Sequence, residues 1–254
     1  MAVGPPFLEE ASCSSLASTT RADRTPAVLK LGMPHLEGAH EIQGLLFWNG
    51  DPTVRLIDSD GDLGAMLLER CDPGTPLRAL PESQQDVVIA GLLRCLWRKP
   101  APPHPFRPLS DLTEYWSAET LAGIERWSDT GLVREGLRLF QQLPRTAPMD
   151  DVLLATDLHS GNVLRSERQP WLVIDPKPFV GDPAFDPTQH LFNCRSRLRS
   201  DPLGTIARVA DLAGVDRERV RLWLFARAAA EPRDDWKNGD SFALARRIAP
   251  VARS

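Results

Sequence analysis

The pattern of apolar and polar positions changes character near residue 70 of this chain. Before it, short alternating runs dominate. "TPAVLKLG" sets Val28 and Lys30 on one face and Leu29 and Leu31 on the other, the two-residue period of a strand. "HLEGAHEIQGLLFW" has helical spacing through Leu36, Ile42, Leu45 and Leu46, and "TVRLID" and "GAMLLER" flank "SDGDL" as a hairpin. After "CDPGTPL" helices take over. Ser83 and Asp86 are spaced as a capping box ahead of "VVIAGLLRCLW", and the Pro-rich "RKPAPPHPFRP" breaks the helical pattern. "AETLAGIERW", "GLVREGLRLFQQL" and "DRERVRLWLFARAAA", the last capped by Asp216, predict further amphipathic helices. The order is a small β-rich lobe with one helix over residues 1–70 and a larger, mainly helical lobe over residues 71–254, an α+β chain in two lobes with a cleft between them.

One stretch interrupts the larger lobe. "LLATDLHSGNVL" runs apolar, packs Asp157, His159, Ser160, Gly161 and Asn162 into six positions, and turns apolar again. The strands "NVLR" and "PWLVID" follow, joined at "SERQ", and the second ends on Asp175. Asp157, Asn162 and Asp175 thus stand at the mouths of two paired strands. Such carboxylate and amide oxygens suit magnesium, a hard cation that shares its shell with phosphates. A carboxylate set apart from the metal can take or orient the proton of a hydroxyl.

Composition narrows the class. Of 254 residues 42% are hydrophobic, enough to bury a core, and the net charge of −4 gives no reason to expect a nucleic-acid partner. The four cysteines (Cys13, Cys71, Cys95, Cys194) are scattered without paired spacing, as expected of reduced thiols in a cytoplasm and against a disulfide framework or a zinc site. No run approaches the ~18 apolar residues of a membrane span, and no signal-peptide pattern opens the chain. Four lysines stand against twenty-six arginines, which makes each lysine conspicuous.

The spacing Asp157-x-x-x-x-Asn162, with Asp175 thirteen residues on, resembles the catalytic loop and second metal site of the protein-kinase-like fold. Lys30 on "AVLKL" resembles that fold's strand lysine and is followed by a helix bearing Glu37 and Glu41. The wider text "TDLHSGNVL…WLVIDPKPFVGDPAFDPTQHL" resembles the aminoglycoside phosphotransferase superfamily, in its streptomycin and hydroxyurea branch, and the resemblance runs from "GPPF" to "ARRIAP". It implies an ATP-dependent, magnesium-using kinase of small-molecule hydroxyls. In that reading Asp157 is the catalytic base or orients the acceptor hydroxyl, Asn162 and Asp175 hold magnesium, and Lys30 contacts the α- and β-phosphates of the nucleotide. Glu41 steadies Lys30, although Glu37, a turn earlier on the same face, fits the periodicity equally well. The connector from Glu69 to Cys71 offers backbone groups to adenine. Asp186 braces the catalytic loop, and Asp182 is a weaker candidate for the same task.

Several features depart from the family pattern. Ala155 and Thr156 stand where His and Gly are frequent, Pro-Lys-Pro follows Asp175, and the phosphate-loop stretch "EEASCSS" holds no glycine. These motivate an alternative, a nucleotide-binding pseudokinase or scaffold. A third class, a metal-dependent phosphohydrolase, shares the carboxylates but has no need of Lys30. Only ten residues separate Asp175 from Asp186, too few for a protein-kinase activation segment, so the expected acceptor is a small molecule. Asp111, Glu114 and Glu119 on the helical insert are candidates to attract a cationic one, although acids on such helices more often form a solvated face. "DSDGDLGAMLLE" imitates a calcium loop, but Leu63 stands where glycine is required. His159 lacks a second histidine at ligand spacing, and His190, Trp97, Trp127 and Trp223 fall in apolar patterns as core or partly buried residues. Nothing in the sequence sets an oligomeric state.

Overall fold

The computed structural model describes residues 2–6, 14–146, 150–232 and 239–250. Its first part is a five-stranded antiparallel sheet. β1 (Ala2–Pro6), β2 (Ser14–Thr20) and β3 (Pro26–Gly32) lead into α1 (Glu41–Trp48), and β4 (Leu56–Asp60) and β5 (Ala65–Glu69) form the expected hairpin. The strand order is β1-β2-β3-β5-β4, which puts β3 with Lys30 at the centre. Leu45, Val54, Met66 and Leu68 seal the sheet onto α1, together with Leu172 from the other lobe. No helix flanks the Asp60–Gly64 turn, where Asp60 accepts from the backbone of Asp62 and Leu63, so the calcium-loop imitation is a hairpin turn.

After the short β6 (Pro73–Pro76) the second part builds on α2 (Glu82–Leu96), α3 (Leu109–Ala122) and α4 (Thr130–Gln142). β7 (Val152–Leu154), β8 (Val163–Ser166), β9 (Trp171–Val173) and β10 (Phe179–Gly181) come next. Then come α5 (Pro187–Asn193), α6 (Arg195–Ser200), α7 (Pro202–Ala213), α8 (Arg217–Ala230) and α9 (Gly239–Arg247). β6, β8 and β9 pair antiparallel, as do β7 and β10, so the polar loop 155–162 and the segment after β9 emerge side by side. Trp223 of α8 packs edge-on to Phe185, and Trp116 of α3 contacts Phe140 and Phe185. Fully burying an aromatic side chain of this size contributes roughly 2–3 kcal/mol, so this cluster is the anchor on which the loop rests.

Three expectations are corrected. Ser83 and Asp86 form no capping box: α2 starts at Glu82 with Pro81 as its cap, and Asp86 is drawn into a buried cluster with His190 and Arg197. The single helix expected over residues 35–48 is a 3-10 turn, Glu37–His40, followed by α1, because the chain bends at His40 (φ −117°). The helix expected from Ala118 begins at Leu109, directly after the Pro-rich stretch, and gives way at Gly123 to a 3-10 turn. Gly44 sets how near α1 can come to the segment after β9. A Cβ there would lie 2.9 Å from the Pro178 ring, so only glycine permits this approach.

Candidate active site

Lys30 arrives from the centre of the sheet and is 4% exposed. Its Nζ donates to both Glu41 oxygens at 2.7 Å and to Asp175 Oδ1 at 2.5 Å, joining positions 145 residues apart. The choice left open between two glutamates is thereby settled by geometry. Glu41 takes the lysine, while Glu37 accepts from Trp116 Nε1 at 3.2 Å and ties the first lobe to α3. Burial pushes the Glu41 carboxyl upward against the pull of Lys30. Asp175 is held below the usual carboxylate range: burial opposes this, and the Lys30 and Lys177 ammonium groups outweigh it. The backbone of Asp175 is left-handed, φ +52°, a conformation Asp tolerates better than most residues, and it turns the side chain off the end of β9.

Asp157 lies opposite. Burial pushes its carboxyl up to about 6, with Asp175 and Glu37 adding to the rise and Lys177 and Arg227 opposing it. Oδ1 accepts from Gln189 Nε2 at 2.7 Å. Asn162 Nδ2 donates to the Asp157 carbonyl at 3.0 Å and reaches Oδ2 at 3.4 Å. With its nitrogen so used, Asn162 has its amide oxygen to offer a cation. Ile174 N donates to Asn162 O at 3.0 Å, which locks the loop to the strand that delivers Asp175.

The loop is braced without the frequent histidine. Asp186, fully buried, accepts from Ala155 N at 3.1 Å, Thr156 N at 2.8 Å and Trp97 Nε1 at 2.9 Å. Burial raises the Asp186 carboxyl to about 6 in spite of these donors. Thr156 takes the left-handed conformation, φ +49°, that a β-branched residue rarely adopts, and its Oγ1 donates to the Lys177 carbonyl at 2.6 Å. Asp182 acts further out, accepting from Arg219 at 2.5 Å and Trp223 Nε1 at 2.7 Å, and so fastens the Pro183–Phe185 turn to α8.

The connector residues are also placed. The Glu69 side chain is taken by Arg168 (2.8 Å from each guanidinium nitrogen to its own oxygen), and its backbone N donates to Arg55 O at 2.9 Å. The Cys71 thiol is half-buried, and burial pushes it up to about 11, as unreactive as a packing residue. Of the phosphate-loop stretch Glu9–Ser15, residues 9–13 lie outside the described residues, and Ser14 and Ser15 begin β2. On α3, Glu114 and Glu119 are exposed, Glu119 accepting from Tyr115, while Asp111 is half-buried in the first turn.

A second cluster sits apart. Asp86, His190 and Cys194 are buried and close enough to hold a metal ion. The Asp86 carboxylate already accepts from His190 at 2.8 Å, Arg197 at 2.7 Å twice and Arg208 at 2.9 Å. So many cations leave no charge for a metal. The cluster instead staples α2 to α5, α6 and α7. His190, expected as core, is core, and burial disfavours its charge but the Asp86 hydrogen bond raises its pKa to about 9.

The sequence reading missed Lys177, Gln189 and Arg227. Lys177 Nζ stands 3.4 Å from both Asp175 oxygens and 4.0 Å from Asp157 Oδ2. Arg227 of α8 donates to Gln189 Oε1 at 2.8 Å and stacks over Trp116, Phe185 and Phe192. Lysine scarcity was the available signal for Lys177. Neither Gln189 nor Arg227 carried any signal, since both lie within ordinary helical patterns.

Comparison with known proteins gives this geometry a setting. A family model described as aminoglycoside/hydroxyurea antibiotic resistance kinase matches residues 4–234. Hydroxyurea phosphotransferase of Kitasatospora aureofaciens is 39% identical over 82% of this chain, which spans 61% of that protein's length. Streptomycin 6-kinase of Streptomyces glaucescens is 35% identical over 87% of this chain and 74% of its own. Among solved structures, choline kinase LicA from Streptococcus pneumoniae superposes with a TM-score of 0.66 at 14% identity, covering 98% of this chain and 94% of that one. A thermostable mutant of aminoglycoside phosphotransferase APH(4)-Ia, in its apo form, gives 0.62 at 17% identity, covering 98% of this chain and 97% of that one. At such identities the structures establish the protein-kinase-like fold and nothing finer.

Proposed function

The chain belongs to the aminoglycoside/hydroxyurea antibiotic resistance kinases, and from that premise we propose that it transfers the γ-phosphoryl group of ATP to a hydroxyl of an aminoglycoside-like antibiotic or of hydroxyurea. The observation that carries the reading is the chain of contacts, drawn from the sheet and two loops, that joins Lys30 and Asp175 through Lys177 to Asp157 and Asn162. In this reading Lys30, steadied by Glu41, meets the α- and β-phosphates, and backbone groups from Glu69 to Cys71 meet adenine. Residues 1–70 serve as the nucleotide lobe and 71–254 as the catalytic and acceptor lobe.

Asn162 and Asp175 supply the oxygen-only donor set that magnesium prefers, and they are the residues that would hold it. There it would supply neutralisation of phosphate charge. The rest is positioning. The acceptor hydroxyl lies against Asp157 Oδ2, the oxygen not committed to Gln189, and passes its proton there. Among the described residues no helix is long and apolar enough to cross a membrane, and Cys71, Cys95 and Cys194 are free thiols, which supports a cytoplasmic enzyme.

The test is mass-spectrometric detection of a phosphorylated product. Protein is incubated with Mg-ATP and a panel of streptomycin, other aminoglycosides and hydroxyurea, beside Asp157→Ala. Product formed by the native chain and absent with the variant supports the reading and names the acceptor. Nucleotide binding without product across the panel would favour a pseudokinase scaffold.

A further inference from the structure

Lys177 is the cation that the family reading leaves without a task. Its backbone is held from several sides. Lys177 N donates to Ala155 O at 2.9 Å, its carbonyl accepts from Thr156 Oγ1 at 2.6 Å, and Pro178 next to it abuts α1 at Gly44. Pro176 and Pro178 on either side restrict the chain further. The side chain is thereby sent into the gap between the base and the metal-binding carboxylate, with 13% of it exposed.

The distances there differ from those around Lys30. Lys30 closes on its partners at 2.5–2.7 Å, whereas Lys177 stands 3.4 Å from Asp175 and 4.0 Å from Asp157. Charge-assisted N–H···O bonds are about 2.7–2.9 Å long. Lys177 is therefore attracted by two carboxylates without spending a short bond on either. Its two bonds to Asp175, at 3.4 Å, are long enough to yield to a third anion, and the space between Asp157 and Asp175 is where such an anion would lie.

We propose that Lys177 is a catalytic residue, its ammonium contacting the γ-phosphoryl group of ATP between Asp157 and Asp175. The proposal rests on the phosphotransferase reading. In the transfer the acceptor oxygen bonds to the γ-phosphorus as the bond to the β–γ bridging oxygen breaks. The acceptor's proton goes to Asp157, and ADP leaves with the electron pair. Lys177 exchanges no proton. It neutralises charge on the phosphoryl oxygens and keeps the anionic base and the anionic donor in the same small space.

The test uses Lys177→Met and Lys177→Arg, because the contacts that hold this segment are made by backbone atoms that survive either substitution. Affinities for ADP and for the triphosphate analogue AMP-PNP are measured by calorimetry with magnesium present, beside turnover of the acceptor found in the panel. The native chain should prefer AMP-PNP. Lys177→Met should lose about tenfold of that preference with ADP affinity within about twofold of native, and turnover should fall about 10²–10³-fold. Lys177→Arg should keep the preference. Undiminished preference and turnover in Lys177→Met would overturn the proposal and leave the phosphotransferase reading standing. Equal losses for ADP and AMP-PNP would also overturn it, by showing a general role in holding the cleft. A native chain that binds neither nucleotide would remove the reading and this proposal together.

Discussion

Gln189 Nε2 donates to Asp157 Oδ1 at 2.7 Å, and the direction of that bond is fixed from α8. Arg227 carries only donors, so the oxygen of the Gln189 amide must face it, at 2.8 Å, and the nitrogen must face the carboxylate. Arg227 is 4% exposed and held by three rings, Thr188 and Glu231. The relay commits Oδ1, while Oδ2 has only the longer contacts with Asn162 Nδ2 at 3.4 Å and Lys177 Nζ at 4.0 Å. Gln189→Leu is therefore expected to lower kcat by about tenfold to hundredfold, with the KM for ATP little changed. Steady-state kinetics with both substrates checks it, and a matched rise in both KM values would show a merely structural role.

The Lys30–Glu41 pair makes a different prediction. Both side chains are buried, and removing Glu41 leaves the Lys30 ammonium with Asp175 as its remaining partner. Glu41→Ala frees Lys30 to collapse fully onto Asp175. The KM for ATP should rise about tenfold or more, and stability should fall by about 1.5–3 kcal/mol through the lost charge-assisted bonds. Chemical denaturation beside nucleotide titration separates the two effects.

Asp186 holds the loop by two backbone N–H groups and an indole. Asp186→Ala leaves those donors buried and unpaired at about 1–3 kcal/mol each before relaxation. The variant is expected to lose several kcal/mol by urea denaturation and most of its activity. Near-native stability would mean that Lys177 N and Thr156 Oγ1 suffice to hold the loop.

Thr156 sets backbone strain against a hydrogen bond. Thr156→Val keeps the unfavourable φ of +49° and loses the bond to Lys177 O, so it should destabilise by about 1–3 kcal/mol. Thr156→Gly loses the bond but relieves the strain, and should lie within about 1 kcal/mol of native. Thermal melts of the pair check the ordering.

The His190 cluster predicts a pH dependence. Its folded pKa is raised from 6.5 to about 9, so the protonated form is favoured in the folded state. That contribution is fully present below about pH 6.5 and is lost as pH climbs through about 9, at most about 3 kcal/mol in all. Melting temperature should fall between pH 7 and 9.5, and His190→Gln should flatten that fall. An unchanged slope would place the dependence elsewhere.

The sequence by itself determined what is local and periodic. The two-residue alternation of "AVLKL", the hairpin around Asp60–Gly64, the Asp216 cap of α8 and the change from strands to helices near residue 70 were all legible, because each depends on neighbours within a few residues. The spacing of Asp157, Asn162 and Asp175 was legible too, since paired strands must carry them to one end. Tertiary structure decided the rest. Periodicity could not separate Glu37 from Glu41, one turn apart, and only the placing of α1 against β3 gave Lys30 to one and Trp116 to the other. Asp86 has the spacing of a capping residue, yet burial beside His190, Arg197 and Arg208 makes charge pairing worth more than a cap. Lys177 stands only two residues after Asp175, but Gln189 and Arg227 reach the site from α5 and α8, Gln189 at the Asp157 carboxylate and Arg227 behind Gln189, and no local pattern records which distant side chains a folded chain will bring together.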